Sequence, residues 1–499
     1  MTVETTKLYI DGAWREPSTS ARGTAIDSNT GQPIGSYPLG GPADIDAAVA
    51  AARRALDDQS GWGGSTAAER IAVMRRFADA IGRRRDAIGG LIAAEVGTPL
   101  ARATFSNADA ATSLLRFYAD VLEQTEIEDL RPAGRGHSLV RREPIGVVAM
   151  IAPWNFPLST LFFKVGPALA AGCTAVIKPA SVTALDSFLI AEAADEAGVP
   201  AGVLNFVPCD RTTGDHLTAH PGIDKVAFTG STEVGRRIGR IAGEQLKEVS
   251  LELGGKSAAL LLEDAPIDVF VQELHDLSFS NNGQACTNNS RIIVPDAIYD
   301  EVVEAVRAEV SGWVVGDSRD PQTVIGPVSS ASHKASIERY YEIAREEGAR
   351  VVVGGEADER EGFFVQPSVF ADVTRDMTVF REELFGPAIS ITRYSGDVEE
   401  GIRLVNDSEY GLSGGVFTSD EQVGLEVARR LETGTVGWNI ANFDMGAPLN
   451  GRKASGVGFE LGAEALTHYF HYKTIFTPVV PERIGERAQL PGAAAMAGA

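Results

Sequence analysis

Residues 145–180 read IGVVAMIAPWNFPLSTLFFKVGPALAAGCTAVIKPA, and their periodicity decides the architecture. Ile145 to Ile151 is a continuous apolar run, the pattern of a strand buried on both faces. Pro157 to Ala171 reads as a helix, with Gly172 as its stop. A second strand, Ala175 to Ile177, follows. Outward from this core come a helix over Thr183 to Ala197, ending at Gly198, and strands at Val203 to Val207 and Lys225 to Phe228. A further helix begins near Ser231. Alternating strands and helices of this length predict an α/β fold with a parallel sheet covered on both sides.

The dinucleotide fingerprint G-x-G-x-x-G is absent. After Lys225 to Phe228 stands GSTEVG, whose only glycines are Gly230 and Gly235. Ser231 there suits a helix N-cap after a glycine turn, and the residues alone name no ligand. The second half alternates again. It has helices at Ile267 to Ser280, Tyr299 to Val310 and His333 to Glu347, with strands at Ile292 to Val294 and Val351 to Val353. Ahead of the core, Lys7 to Trp14 suggests a hairpin turning at Asp11-Gly12. Helices follow over Ala43 to Asp58 and Ala101 to Glu123, and Thr66 with Glu69 makes a capping box for one long helix towards Ile88. Two segments fit no layer of this scheme: Glu126 to Arg142, broken by Pro132, Gly134 and Gly136, and His468 to Val480. Either could be a core strand or part of a separate small sheet. The tail 487–499 is of low complexity and expected to be frayed.

At 499 residues the chain is long enough for about three domains. With 44% hydrophobic and 23% charged residues it reads as an ordinary globular protein. A formal charge of −23 argues against nucleic acid, because phosphate contacts need a basic face. No apolar run reaches membrane-spanning length. The three cysteines, Cys173, Cys209 and Cys286, form no C-x-x-C pair, and the start lacks an apolar segment behind a basic one. A cytoplasmic, reducing compartment is therefore expected, and no metal site is.

The chemistry concentrates in Asn281 to Arg291, NNGQACTNNSR, and in Val249 to Ser257, VSLELGGKS. A cysteine thiolate attacks electron-poor carbon, and a carboxylate can draw a proton from water. By itself Cys286 could equally be a small buried hydrophobe. Glu252 could be a surface glutamate on an alternating strand, Asn155 a turn residue before Pro157, and Lys164 a solvated lysine.

These stretches do not stand alone. APWNFP (152–157), AVIKPA (175–180), AFTGSTEVG (227–235), LELGGKS (251–257), the Cys286 stretch, EELFGP (382–387) and GRKASGVG (451–458) occur in an order and spacing that resembles the aldehyde dehydrogenase superfamily over nearly the whole chain. The resemblance implies a Rossmann-like cofactor domain (1–124 and 144–254), an α/β catalytic domain (255–453) and a small oligomerisation sheet (125–143 and 467–485). It implies a homodimer or homotetramer as well. The activity implied is NAD(P)-dependent oxidation of an aldehyde to the carboxylic acid through a Cys-bound thiohemiacetal and thioester.

By the same resemblance Cys286 matches the nucleophile, Asn155 the oxyanion donor and Glu252 the base that activates water. Lys164 matches a lysine near the catalytic centre. Trp154, Lys178, Ser181, Gly230, Ser231, Glu383 and Phe385 match cofactor-binding positions. Relatives that pass the acyl group to coenzyme A generally lack a glutamate at position 252, so the free acid is the expected product. The alternatives are such an acylating enzyme and an idle binding or structural protein on the same scaffold. Many NAD-preferring members have a glutamate where this chain has Ser181, so the reading leans to NAD without excluding NADP. The loop Asn442 to Leu449 matches the substrate entrance. There Asn450 and Arg452 depart from the usual pattern and leave the aldehyde open.

Overall fold

The computed structural model describes residues 3–481, so the tail 487–499 lies outside the described residues. Its largest sheet has eight strands in the spatial order Gly456–Val457, Glu248–Glu252, Lys225–Thr229, Val147–Ile151, Thr174–Lys178, Leu204–Phe206, Leu8–Ile10 and Ala13–Arg15. The middle five are parallel. Val147–Ile151 is completely buried, as its unbroken apolar run requires. Its neighbours are Thr174–Lys178 on one side and Lys225–Thr229 on the other. Chain order reverses there, and the crevice beyond the strand ends at such a reversal is where α/β sheets bind ligands. The APWNFP loop leaves the sheet at that point.

A second sheet of seven strands runs Arg350–Val353, Ser368–Ala371, Ala388–Tyr394, Arg291–Pro295, Ala258–Leu261, Gly414–Phe417 and Gly437–Trp438. All its pairings are parallel except that of the edge strand Arg350–Val353. The two segments that fitted no layer pair with each other. Glu128–Pro132, His137–Pro144 and Phe470–Thr477 form a separate antiparallel sheet with Phe470–Thr477 at one edge.

Most elements lie where the sequence put them, including the helix Pro157–Ala171, ended by Gly172 at φ +90°. Three differ. The helix from the Thr66 capping box stops at Gly82, and a second begins at Arg85. Gly82 weakens the helix, and the turn after it lets Arg83 and Arg84 both reach Glu196, at 2.8 and 2.5 Å. The helix expected over Ala101 to Glu123 opens into a π-turn at Thr104–Asp109, which brings Asn107 Oδ1 to accept from Leu158 N at 3.2 Å. Arg211–Ala219, with no apolar stripe to betray it, is a helix capped by Asp210, whose side chain accepts from Thr213 N.

Candidate active site

Residues 281–291 form a loop rather than a regular element, and their backbone is unusual. Asn281, Asn282 and Gly283 lie in succession in the left-handed region, at φ 55°, 59° and 77°. A non-glycine residue there costs about 1–2 kcal/mol, so something must hold it. The buried side chains supply the restraint. Asn282 Nδ2 donates to Gly97 O and Pro327 O, both at 2.9 Å, while its Oδ1 accepts from Gly326 N at 2.8 Å. Gln284 Nε2 donates to Val96 O at 3.2 Å, and its Oε1 accepts from Ser329 N at 2.9 Å. Asn281 Nδ2 donates to Asn155 O at 2.9 Å, and Asn155 Nδ2 donates to Gln284 O at 2.9 Å. The loop that presents Cys286 is thereby bolted to the loop that presents Asn155.

Cys286, half-buried, lines a cavity of about 790 Å³ at the C-terminal ends of the parallel strands. Asn155, Trp154, Lys178, Ser181, Gly230, Ser231, Glu383 and Phe385 line the same cavity. Thus the structure gathers Cys286, Asn155 and all seven of the cofactor-binding candidates at one place. Burial first, and then the charges of Glu383 and Glu252, push the Cys286 thiol up to about 12. The N–H groups of Cys286 and Thr287 beside the sulfur act in the opposite sense. At neutral pH the group is a thiol, and a base or a nearby positive charge must help to ionise it.

Glu252 and Lys164 are buried next to the lining residues Thr229 and Leu253 rather than among the lining, and neither is a solvated surface group. Glu252 ends the strand Glu248–Glu252 and is 5% exposed. Burial holds its carboxyl well above the ordinary range, and the negative Glu460 adds to the effect; Lys164 and the Gly451 N–H oppose it. Lys164, on the helix Pro157–Ala171, is fully buried. Its Nζ pairs with Glu460 Oε1 at 2.7 Å and donates to Thr229 Oγ1 at 2.7 Å and Thr160 O at 3.1 Å. Those three partners match the three donors of an ammonium. Glu460 and Thr229 were not singled out in the sequence. Glu460 stands between Phe459 and Leu461, a charge among apolar neighbours, but no spacing rule links it to a lysine 296 residues earlier.

The glycines of LELGGKS serve close approach. A Cβ on Gly254 would lie 2.3 Å from Glu383 Oε2, and one on Gly255 would lie 2.4 Å from the Cys286 carbonyl oxygen. Gly255 N donates to Glu383 Oε1 at 2.9 Å. Glu383 is buried enough for its carboxyl to rise to about 7. Phe385, at φ 58°, is held by its carbonyl, 2.8 Å from His333 Nε2, and by edge contacts with Trp154 and His333.

A dinucleotide fits this donor set. Ser231 caps the helix Thr232–Glu244, whose N-terminus opens on the cavity and favours a pyrophosphate. Lys178 and Glu383 bring a cation and a carboxyl group to the same cavity, and Trp154 and Phe385 line it with flat apolar surface.

The Aldehyde dehydrogenase family matches residues 14–475. A geranial dehydrogenase of Castellaniella defragrans is 46% identical over 477 residues, which are 95% of this chain and 99% of that protein. An aldehyde dehydrogenase of Mycobacterium tuberculosis, solved with NAD+, superposes with a TM-score of 0.93 at 41% identity, covering 96% of this chain and 99% of that one. An NADP-dependent enzyme of E. coli superposes with a TM-score of 0.90 at 36% identity over 94% and 97% of the two chains.

Proposed function

Since this chain belongs to the aldehyde dehydrogenase family and oxidises aldehydes to carboxylic acids with NAD(P) through a cysteine, we propose that Cys286 is that cysteine, Asn155 its oxyanion donor and Glu252 the base for water. The observation that carries the proposal is the gathering of Cys286 and Asn155 on one cavity, with Glu252 close enough for its charge to act on the sulfur. The Cys286 thiol passes its proton to water in the cavity, its Sγ attacks the aldehyde carbon as the C=O π pair moves onto oxygen, and the new oxyanion takes hydrogen bonds from Asn155 Nδ2 and the Cys286 N–H. Asn155 is preorganised for this, because its side chain is already fixed by Gln284 O. When bound, the oxidised dinucleotide brings a positive ring and accepts the hydride. Glu252 then takes a proton from the water that attacks the Cys286 thioester, and the acid leaves. Lys164 favours the charged form of Glu252, and Glu460 opposes it and keeps the carboxyl basic.

Lys178, Ser181, Gly230, Ser231, Trp154, Glu383 and Phe385 hold the cofactor. A serine at position 181 brings no negative charge against a 2′-phosphate, so the site admits both NAD and NADP, with NAD preferred. The 46% relative acts on geranial, and the loop at the expected substrate entrance carries Phe443, which stacks on Phe163 at 6.0 Å. An extended apolar aldehyde is the substrate class these features support.

We further assign residues 1–124 and 144–254 to cofactor binding, 255–453 to catalysis, and the three-stranded sheet to a homodimer or homotetramer interface. A cytoplasmic setting agrees with three free cysteines, one of which must stay reduced to react. Among the described residues no helix is long and apolar enough to cross a membrane.

Purified enzyme with an aldehyde panel and each cofactor tests the reading. Reduced cofactor should appear fastest with apolar aldehydes. Cys286→Ala should abolish it while leaving dinucleotide affinity nearly unchanged. Turnover by the alanine variant would refute the assignment of Cys286.

A further inference from the structure

The cavity does not end at Ser231. It continues as a groove between two helices, Arg211–Ala219 and Thr232–Glu244. The first helix presents Arg211, Gly214 and Asp215 to it, at positions i, i+3 and i+4 of one face. From the second come Val234, Arg237 and Ile238, on the face that begins at the cap residue Ser231. Val234 and Ile238 make an apolar wall. Asp215 and Arg237 put opposite charges where the same wall would otherwise continue.

Those two charges meet. One terminal nitrogen of Arg237 lies 2.9 Å from Asp215 Oδ1, with the side chains 25% and 37% exposed. Arg237 Nε is buried and has no hydrogen-bond partner. Buried N–H groups are nearly always satisfied, so this one calls for an acceptor in the groove. The other pair across the helices, Arg211 with Glu233 at 3.7 Å, is 65% and 86% exposed and is screened by solvent. The groove is also tied to Lys178. A Cβ on Gly214 would lie 3.0 Å from Lys178 Cε, so the lysine side chain crosses the first helix one residue before Asp215.

A dinucleotide whose nicotinamide meets Cys286 and whose pyrophosphate meets Ser231 still has its adenine to place, and this groove is the part of the cavity beyond Ser231. Arg237 lies six residues along the helix from Ser231, about 9 Å at the helical rise, which leaves room for one ribose before the base. We propose that Asp215 and Arg237 read the edge of that base: Asp215 accepts from the exocyclic amino group, and Arg237 Nε donates to a ring nitrogen beside it. The proposal rests on Ser231 and Lys178 holding the cofactor. Adenine sets an amino donor next to a ring-nitrogen acceptor, and a carboxylate next to an N–H is its complement. The Arg237 contact fixes the carboxylate in that position, and Val234 and Ile238 lie against the flat face of the base. Hypoxanthine carries a carbonyl oxygen in place of the amino group and would set it against the Asp215 carboxylate. NAD and NADP share adenine, so the reading applies to either. Asp215 and Arg237 select the cofactor and take no part in the chemistry at Cys286.

The test measures, by calorimetry on the full-length enzyme, the dissociation constants of NAD+ and of nicotinamide hypoxanthine dinucleotide. Wild type should bind the hypoxanthine analogue about 10- to 100-fold more weakly, the worth of one charge-assisted hydrogen bond. Asp215→Asn has an amide that accepts from an amino group or donates to a carbonyl, so its two constants should agree within about threefold. Arg237→Leu frees the carboxylate and removes the Nε donor. It should narrow the gap as well and weaken NAD+ by about tenfold, and it carries the test if Asp215→Asn does not fold. Equal affinities in wild type, or the full gap kept in either variant, overturn the base reading. Lys178→Ala checks the premise. If that variant changes neither constant, the placement of the cofactor has failed, and the base reading falls with it.

Discussion

A carboxyl group with a pKa of about 4 is a feeble base at neutral pH, and Glu252 escapes that limit only by where it sits. Burial and the nearby Glu460 raise its pKa well above the ordinary value. Only the ionised form can take a proton from water. Acyl-enzyme hydrolysis should therefore rise with pH through the raised pKa and level off above it, while the hydride burst does not share that limb. Glu252→Gln should lower the steady rate by about 10²–10⁴ and remove the limb. The check is the pH profile of the burst and the steady rate measured separately. A limb near pH 4 would show that Glu252 is solvated during turnover.

At the scale of the element, the Cys286 loop stores left-handed backbone that Asn281, Asn282 and Gln284 hold in place. Asparagine tolerates this conformation better than most residues, which suits the doublet Asn281-Asn282 ahead of Gly283. What the amides grip was not visible, because their partners at Val96, Gly97, Gly326, Pro327 and Ser329 come from distant segments. Asn282→Ala removes three hydrogen bonds and keeps the strained φ. It should cost about 2–4 kcal/mol and lower the burst amplitude. Asn282→Gly loses the same bonds but relieves the strain, so its cost should be smaller by about 1 kcal/mol. Denaturant unfolding of the pair decides it; equal losses would mean that the backbone there carries no strain.

For the molecule as a whole, the small antiparallel sheet ends in Phe470–Thr477, an edge strand with Tyr472, Ile475 and Phe476 exposed, Phe476 at 79%. Such an edge offers unpaired backbone and apolar surface to another chain. Phe476→Glu should shift the mass measured by light scattering during gel filtration from an oligomer towards the monomer, with dinucleotide binding kept. A wild-type monomer would remove the interface from that sheet.

The periodicity of 145–235, the stops at Gly172 and Gly198, and the capping residues set the parallel sheet, because strands and helices follow from local alternation and backbone preference. The motifs likewise marked Cys286, Asn155 and Glu252. Local patterning could not tell that Glu252 and Lys164 are buried rather than solvated, nor that Glu460 completes their charge cluster. Those relations depend on which strand pairs with which and in what register. That is settled only when burial of the whole apolar surface chooses one arrangement and sets the local dielectric that moves each pKa.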